Sequence, residues 1–173
     1  MILRNYKYKN VNSTNDLAIK MIKKGYLNGI ITTEKQKKGR GQHGKKWISK
    51  KGNLFMSVFF EIKKTPSIKK ITLENCLIIK KVLKKYIKGK IKIKYPNDLL
   101  INSKKICGIL QEIVQRDNKY FLIVGIGINV VNSPKLKNYP TTSISEYAFK
   151  KTSKTTIYKE IKKVYEKNLK YLQ

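Results

Sequence analysis

The segment at residues 39–44 constrains the fold of this chain more than any other feature, because it spells G-x-G-x-x-G between two predicted strands. A dinucleotide-binding unit needs such a turn to open a helix whose N-terminus holds the pyrophosphate. Here the glycines are followed by Lys45-Lys46-Trp47 and a strand-like run, and the HRD and DFG motifs of a kinase are missing from the sequence. Two interpretations remain: small residues that let backbone N–H groups approach an anion beside Arg40, or a plain flexible surface loop.

Hydrophobic periodicity divides the chain into separate helices and strands. Helical spacing begins after Ser13 or Thr14 as an N-cap and stops at Gly25, and residues 116–119 form a hairpin turn signal. Because strands follow strands and helices stand apart, we predict one α+β domain over residues 1–173, a mixed and largely antiparallel sheet with helices packed on it. The predicted helices are 14–24, 67–87 and the stretch after 153, and the predicted strands are 29–33, 53–62, 91–95, 106–114 and 120–125.

The formal net charge of +30 predicts attraction to acidic partners and nucleotides. Three of the 40 basic residues are arginine (Arg4, Arg40 and Arg116), which leaves 37 lysines spread along the whole chain. Nucleic-acid interfaces also use arginine, whose planar fork binds guanine and phosphate in a bidentate way. The composition therefore favours drift in an AT-rich genome, and a non-catalytic basic module that binds polyanions stays open as an alternative.

The two cysteines, Cys76 and Cys107, lie in unrelated segments, and the chain has one histidine. Neither a structural zinc site nor a disulfide framework is therefore predicted. The first residues lack the apolar run of a signal peptide, and no stretch approaches the roughly 20 apolar residues of a membrane span. We expect a soluble cytoplasmic protein that does not bind membranes.

Two further segments carry groups suited to chemistry. The first is Lys94-Tyr95-Pro96-Asn97-Asp98, followed by Lys104-Lys105-Ile106-Cys107-Gly108. A strand, a proline turn and a second strand explain most of it, but not the rare carboxylate of Asp98, which suits Mg²⁺ binding or the orientation of an amine. The second is Gly125-Ile126-Gly127-Ile128-Asn129, whose glycines fit either a close approach of the backbone to a ligand or a β-bulge.

Taken in order, these segments resemble the catalytic domain of biotin protein ligases along nearly the whole chain. Lipoate ligases share that fold, but their Arg-rich stretch leading into three glycines is missing from this sequence. The matching blocks are Asn12-Ser13-Thr14-Asn15, Gln36-x-x-Gly39-Arg40-Gly41-x-x-Gly44-x-x-Trp47, Asn53-Leu54-x-x-Ser57, Lys94-Tyr95-Pro96-Asn97-Asp98, Lys105-Ile106-x-Gly108-Ile109-Leu110-x-Glu112, Gly125-x-Gly127-Ile128-Asn129 and Thr141-Thr142-Ser143-Ile144.

The resemblance implies a two-step acyl transfer. The carboxylate of biotin attacks the α-phosphate of ATP, with Mg²⁺ screening the phosphates, to give biotinyl-5′-AMP and pyrophosphate. A lysine of a carrier protein then attacks the mixed anhydride and releases AMP. In this scheme Lys105 bridges the biotin carboxyl oxygen and the α-phosphate, and Arg40 stabilises the phosphate and orders the loop over the adenylate. Asp98 is the candidate that deprotonates or positions the incoming lysine, with Mg²⁺ binding as its rival role.

The resemblance also implies which residues bind each substrate. Ser13 and Thr14 have hydroxyls suited to the ureido ring of biotin or to helix capping, Trp47 suits an apolar wall or an ordinary core position, and His43 is expected to be a loop residue. The expected biotin-binding residues are Ser13, Thr14, Asn15, Gln36, Gly39, Arg40, Gly41, Gln42, Trp47, Lys105, Gly108 and Leu110. The expected nucleotide-binding residues are Arg40, Trp47, Asn97, Lys105, Gly127 and Asn129.

The sequence departs from the family pattern in three ways. Gln42-His43 stands where relatives commonly have basic residues, which predicts weaker retention of the adenylate, and Tyr95 replaces the usual tryptophan. We recognise neither an N-terminal helix-turn-helix nor a C-terminal β-barrel, so we expect no specific DNA binding and put ATP affinity and carrier docking in doubt. The expected partners are biotin, ATP and the biotin carboxyl carrier protein of acetyl-CoA carboxylase, with the enzyme a monomer or homodimer. A ligase for lipoate or another acyl group is the second alternative.

Overall fold

The computed structural model describes residues 2–63, 65, 67–137 and 139–172, and its centre is one seven-stranded sheet. The order of the strands across the sheet is β1-β2-β3-β7-β6-β5-β4. The strands are β1 (Asn5–Val11), β2 (Asn28–Gln36), β3 (Leu54–Ile62), β4 (Ile91–Lys94), β5 (Asp98–Ile101), β6 (Lys104–Arg116) and β7 (Lys119–Ile128). The helices are α1 (Thr14–Lys23), α2 (Ile68–Leu83) and α3 (Lys154–Leu172).

The pairing of the strands confirms the predicted α+β class. β1 runs parallel to β2, and the other neighbouring pairs of the sheet are antiparallel. β1 and β5 were not predicted from the sequence. Most side chains of β1 are exposed, so this edge strand has no apolar face to reveal it. β5 has only four residues and follows the proline turn, so it merges with that turn in the sequence.

Alternate side chains of each strand face opposite sides of the sheet, which divides the core into two layers. One layer consists of Ala18, Met21 and Ile22 of α1 packed on Ile31, Phe59, Phe121 and Ile123. The other is larger and holds α2 and α3 against the opposite face, with Phe60, Ile79, Leu122, Ile161 and Tyr165 among its buried side chains. Of the described helices only α1 packs on its face of the sheet, so the part of that face beyond its N-terminus is left for the site described below.

Both ends of α1 follow local signals in the sequence, whereas the C-terminal end of α2 does not. Ser13 caps α1 by accepting a hydrogen bond from the backbone nitrogen of Asp16 at 3.3 Å, and Gly25, with φ 98°, follows the last turn, as predicted. The predicted helix 67–87 is wrong at its C-terminal end, because α2 ends at Leu83. Tyr86 and Ile87 continue the apolar pattern but are buried beyond the helix. Of the helices in the described ranges, none has the length and apolar character required to cross a membrane.

The β6–β7 hairpin sets the register of the strands that carry the site. Asp117 and Asn118 have φ values of 49° and 58°, which a two-residue hairpin turn requires and which short polar side chains tolerate. The predicted turn at residues 116–119 is confirmed. The resulting register places Gly108 opposite Gly127 and Leu110 opposite Gly125.

Candidate active site

The floor of the site is made by glycines on the face of the sheet that carries α1. Along β7 this face presents Phe121 and Ile123 to α1 and then Gly125 and Gly127, where no side chain stands. A Cβ atom at Gly127 would lie 2.5 Å from the indole of Trp47, and one at Gly108 would lie 2.7 Å from it. The glycines therefore make room for Trp47 and for a cavity of about 520 Å³ next to it, which we call the site cavity.

The glycine loop, residues 39–47, folds as a tight hairpin that lines the site cavity. The backbone nitrogen of Gly41 donates to the oxygen of Lys45 at 2.6 Å, and that of Trp47 donates to the oxygen of Gly39 at 2.9 Å. His43 and Gly44 turn the chain with φ values of 52° and 72°. Residues 45–53 then lead into β3, so the rejection of a dinucleotide-binding turn is confirmed. The loop returns Trp47 over the floor of the cavity.

Arg40 extends from the glycine loop to two carboxylates. Its Nη1 and Nη2 atoms donate to the two oxygens of Glu112 at 3.0 and 2.7 Å, and Nη2 also lies 2.9 Å from Oδ1 of Asp16. Its buried Nε has no hydrogen-bond partner among the described residues. The guanidinium thus ties the loop to both α1 and β6. Asp16 was missed by the sequence analysis, and Glu112 was noted there only as part of a motif.

A polar corner of the cavity joins α1, β2 and β3. The backbone nitrogen of Thr14 donates to Oε1 of Gln36 at 2.9 Å. The hydroxyl of Ser57, buried under the corner, lies 2.7 Å from Oγ1 of Thr14 and 2.5 Å from Oδ1 of Asn15. Nδ2 of Asn15 donates to Oε2 of Glu112 at 2.7 Å, which connects this corner to the carboxylate that holds Arg40. Ser57 was also assigned no role from sequence.

Lys105 enters the cavity from β6. Its ammonium nitrogen lies 2.7 Å from Oδ1 of Asp98, 5.3 Å from the ring centre of Trp47 and 5.5 Å from that of Tyr139. The Tyr139 hydroxyl donates to the second oxygen, Oδ2, of Asp98 at 2.9 Å. Burial and, to a lesser extent, this hydrogen bond raise the pKa of the Tyr139 phenol, so the hydroxyl remains a proton donor. Tyr139 carries no motif that could have identified it from sequence.

Asn129, a predicted nucleotide-binding residue, lines the site cavity next to Thr142. Nδ2 of Asn129 donates to the backbone oxygen of Thr142 at 3.1 Å, while its buried Oδ1 and the buried Nε1 of Trp47 have no hydrogen-bond partner within the described ranges. Such atoms are suited to a polar ligand. Nδ2 of Asn97, by contrast, donates to the backbone oxygen of Ile109 at 2.8 Å, so this amide group also holds the turn before β5.

The structure brings the predicted site residues together around the site cavity, with one exception. Gly39 is buried and does not line the cavity. A Cβ atom there would stand 2.5 Å from the backbone oxygen of Trp47, so this glycine serves the packing of the loop. The predicted residues that line the cavity are Ser13, Thr14, Asn15, Gln36, Arg40, Gly41, Gln42, Trp47, Asn97, Asp98, Lys105, Gly108, Leu110, Gly127 and Asn129.

The two thiols near the site are not equipped as nucleophiles. Burial raises the pKa of the Cys76 thiol to about 12, and the nearby Asp98 carboxylate adds to the rise. Burial likewise raises the pKa of Cys107 well above its ordinary value. Both thiols are therefore neutral near pH 7, and the chemistry of the cavity rests on its cations and hydrogen-bonding groups.

Comparison with known proteins decides the family. Residues 7–129 match the model of the biotin/lipoate A/B protein ligase family. The chain belongs to this family. It is 33% identical over 149 residues to the bifunctional ligase/repressor BirA of Bacillus subtilis, which covers 80% of this chain and 45% of that protein. It is 30% identical over 141 residues to biotin–protein ligase 2 of Arabidopsis thaliana, covering 78% of this chain and 41% of the relative. The chain thus spans less than half the length of these two relatives.

Solved structures of biotin and lipoate ligases share the fold of nearly the whole chain. The biotin protein ligase from Aquifex aeolicus in complex with biotin and ATP aligns with a TM-score of 0.79 and 27% identity, over 96% of this chain and 70% of that one. A lipoate protein ligase from Thermoplasma acidophilum aligns with a TM-score of 0.66 at 11% identity, which shows the common fold alone. The predicted class II synthetase-like fold is confirmed.

The surroundings of Asp98 do not fit a bound magnesium ion. One oxygen of this carboxylate faces the ammonium group of Lys105 and the other accepts from the Tyr139 hydroxyl. A cation beside the carboxylate opposes the binding of a second cation. Across residues 2–63, 65, 67–137 and 139–172, no three His, Cys, Asp or Glu side chains form a group that could hold a metal. Asp98 is therefore better suited to holding Lys105 than to binding Mg²⁺.

Proposed function

We propose that this chain catalyses the ATP-dependent attachment of biotin to a lysine of a carrier protein through biotinyl-5′-AMP. One observation carries the proposal: two cations from distant parts of the sequence, Arg40 and Lys105, line a single cavity whose floor is cleared by glycines. Joining a carboxylate to a phosphate brings two anions together, and cations held in place lower the free energy of that transition state. The names of similar proteins, which include a biotin protein ligase with biotin and ATP bound, support biotin as the acyl group.

In the first step a carboxylate oxygen of biotin attacks the α-phosphorus of ATP, and the bond to pyrophosphate breaks. Lys105 faces the junction of the two substrates and stabilises the negative charge that builds up there, while Asp98 holds its ammonium group by the 2.7 Å ion pair. Thr14, Asn15 and Gln36 form the hydrogen-bonding end that suits the ureido ring of biotin. Asn129 offers its free Oδ1 to the adenine amino group.

In the second step the amine of a carrier lysine attacks the acyl carbon, and the bond to AMP breaks. The glycine loop, tied down by Arg40, covers the mixed anhydride and limits its hydrolysis. Arg40 also stabilises the phosphate, either through its free Nε or by exchanging one carboxylate for a phosphate oxygen. We propose the carrier subunit of acetyl-CoA carboxylase as the acceptor, because a relative from Mycobacterium tuberculosis is named biotin–[acetyl-CoA-carboxylase] ligase. We place this reaction in the cytoplasm as part of the same proposal. Magnesium enters as part of the MgATP substrate.

The direct test combines the purified protein with biotin, MgATP and a biotinyl carrier domain. We expect the release of pyrophosphate and a carrier that streptavidin detects, with a carrier whose acceptor lysine is replaced by arginine as the control. A panel with lipoate and octanoate in place of biotin distinguishes the other acyl ligases. If no acyl acid supports pyrophosphate release, and the protein binds nucleic acid with an affinity that falls steeply with salt and is unchanged by Lys105→Ala, the polyanion-binding alternative replaces the ligase.

A further inference from the structure

Tyr139 stands in the loop between β7 and α3 at a place fixed by backbone contacts to Lys105. The backbone nitrogen of Lys105 donates to the oxygen of Pro140 at 2.9 Å, and the nitrogen of Thr142 donates to the oxygen of Lys105 at 3.0 Å. The residues that follow Tyr139 therefore run alongside the start of β6 in a parallel bridge. This pairing holds the backbone next to Tyr139 against the backbone of Lys105, so the Tyr139 ring is kept close to the Lys105 side chain.

The side chains of Tyr139, Asp98 and Lys105, the proposed catalytic lysine, form one connected group. Each oxygen of Asp98 has one close partner: Oδ1 has the ammonium of Lys105 at 2.7 Å, and Oδ2 has the Tyr139 hydroxyl at 2.9 Å. The Tyr139 ring also faces two cations, with Lys94 Nζ 4.3 Å and Lys105 Nζ 5.5 Å from its centre. The side chains of Lys105 and Asp98 are only 18% and 14% exposed, so water contributes little to holding this pair.

A carboxylate held through one oxygen is free to rotate about its side-chain torsions. The ammonium group of a lysine paired with that carboxylate then moves with it. A hydrogen bond on the second oxygen removes this freedom. The bond is charge-assisted and partly buried, which places it among the stronger hydrogen bonds in proteins. The Tyr139 hydroxyl thus keeps Asp98, and through it the ammonium of Lys105, in one orientation.

We propose that Tyr139 is a positioning residue of the acyl-adenylation step, acting through Asp98 on Lys105. This inference rests on the proposed function and names a residue that has no part in the motifs found in the sequence. It acts on the rate of the chemical step, because Tyr139 holds the lysine that meets the transition state. Within the described residues the Tyr139 hydroxyl contacts Asp98 and not Thr14 or Gln36, the residues proposed to bind the ureido ring, so the KM for biotin should change little.

The test is the Tyr139→Phe variant, which removes the hydroxyl and keeps the ring. In the pyrophosphate-release assay we expect kcat to fall about tenfold, the effect of losing one hydrogen bond to a charged group, with the KM for biotin changed less than twofold. Tyr158→Phe is the matched control, since its hydroxyl also donates to a side-chain oxygen, that of Asn5 at 2.6 Å, away from the cavity. The control should keep the parent kcat.

A second variant, Tyr139→Leu, separates positioning from packing. If the hydroxyl acts through Asp98, Phe already causes most of the loss in kcat, and Leu adds less. If the ring only packs, Phe keeps the parent kcat and only Leu lowers it, which overturns the assignment. A higher KM for biotin at unchanged kcat in Tyr139→Phe overturns it too. No turnover by the parent protein with any acyl acid is a different outcome: it refutes the proposed function and, with it, this role.

Discussion

The two cations of the site cavity, Arg40 and Lys105, are held in different ways. Lys105 pairs with Leu100 of β5 in the sheet, its side chain is 18% exposed, and it meets one carboxylate that is itself 14% exposed. Arg40 lies on a loop between strands, is 37% exposed, and meets Asp16 and Glu112, which are 41% and 26% exposed. The comparison separates two tasks. Lys105 is a charge fixed by the sheet, whereas Arg40 holds a loop in place by ion pairs that the solvent partly screens.

This difference assigns the chemical step to Lys105 and the retention of the adenylate to Arg40. A charge that stabilises a transition state must be in place before the reaction, and a strand provides that better than a loop. A loop that covers a reactive intermediate must open for substrates and products, and partly exposed ion pairs of modest strength allow this. Changes at Lys105 should therefore act on the rate of adenylation, and changes at Arg40 on how long the adenylate stays bound.

The largest effect is expected from Lys105→Ala. Removing the fixed positive charge should lower kcat for pyrophosphate release by about 100- to 1000-fold, the range measured when one transition-state donor is lost. The neighbouring exposed Lys104 offers a matched control, and Lys104→Ala should turn over like the parent. Thermal unfolding of both variants checks that the fold is intact. Near-parental turnover by Lys105→Ala would contradict the role given to this lysine.

A smaller and different effect is expected from Arg40→Ala. Without the guanidinium, the loop loses its ties to α1 and β6, so biotinyl-5′-AMP should dissociate about 30-fold faster, as expected for the loss of a bidentate charged contact. The release of preformed adenylate measures this, and limited proteolysis should find new cleavage within residues 37–47. Lys38→Ala, an exposed charge just before the loop, is the control. An adenylate that dissociates from Arg40→Ala at the parental rate would contradict the separate roles given to Arg40 and Lys105.

The smallest effects separate the two carboxylates that hold Arg40. Glu112 accepts from both Nη atoms and from Asn15, so Glu112→Gln should speed adenylate release about five- to tenfold. Asp16 makes one contact and is 41% exposed, so Asp16→Asn should change the release less than about threefold. The same release assay compares the two. Equal effects would mean that Asp16 of α1 and Glu112 of β6 contribute equally to holding the loop, contrary to the geometry.

The sequence predicted the residues of the cavity better than their connections. The motif blocks singled out Lys105, Arg40 and Asn129 because each lies within a short pattern with its own spacing, and all three line the cavity. Asp16 and Tyr139 were missed because their roles depend on partners 24 and more residues away, across separate elements of the fold. The carboxylate of Asp16 became informative only once the fold showed that it faces Arg40.

The elements of the fold were predicted where an apolar pattern was present. β3 and β7 are buried along most of their length and were found with small errors at their ends. β1 was missed because its side chains are mostly exposed and its pairing with β2 crosses the whole of α1. The over-long prediction for α2 has the opposite cause, since Tyr86 and Ile87 are buried by tertiary contacts after the helix has ended.

The most direct test is a crystal structure of the protein with a non-hydrolysable analogue of biotinyl-5′-AMP. The acyl–phosphate junction should lie within hydrogen-bond distance of the Lys105 ammonium, beneath the glycine loop, with the ureido ring at Thr14 and Gln36. An analogue bound with this junction away from Lys105, or on another face of the molecule, would contradict the claim that the two cations serve one ligand.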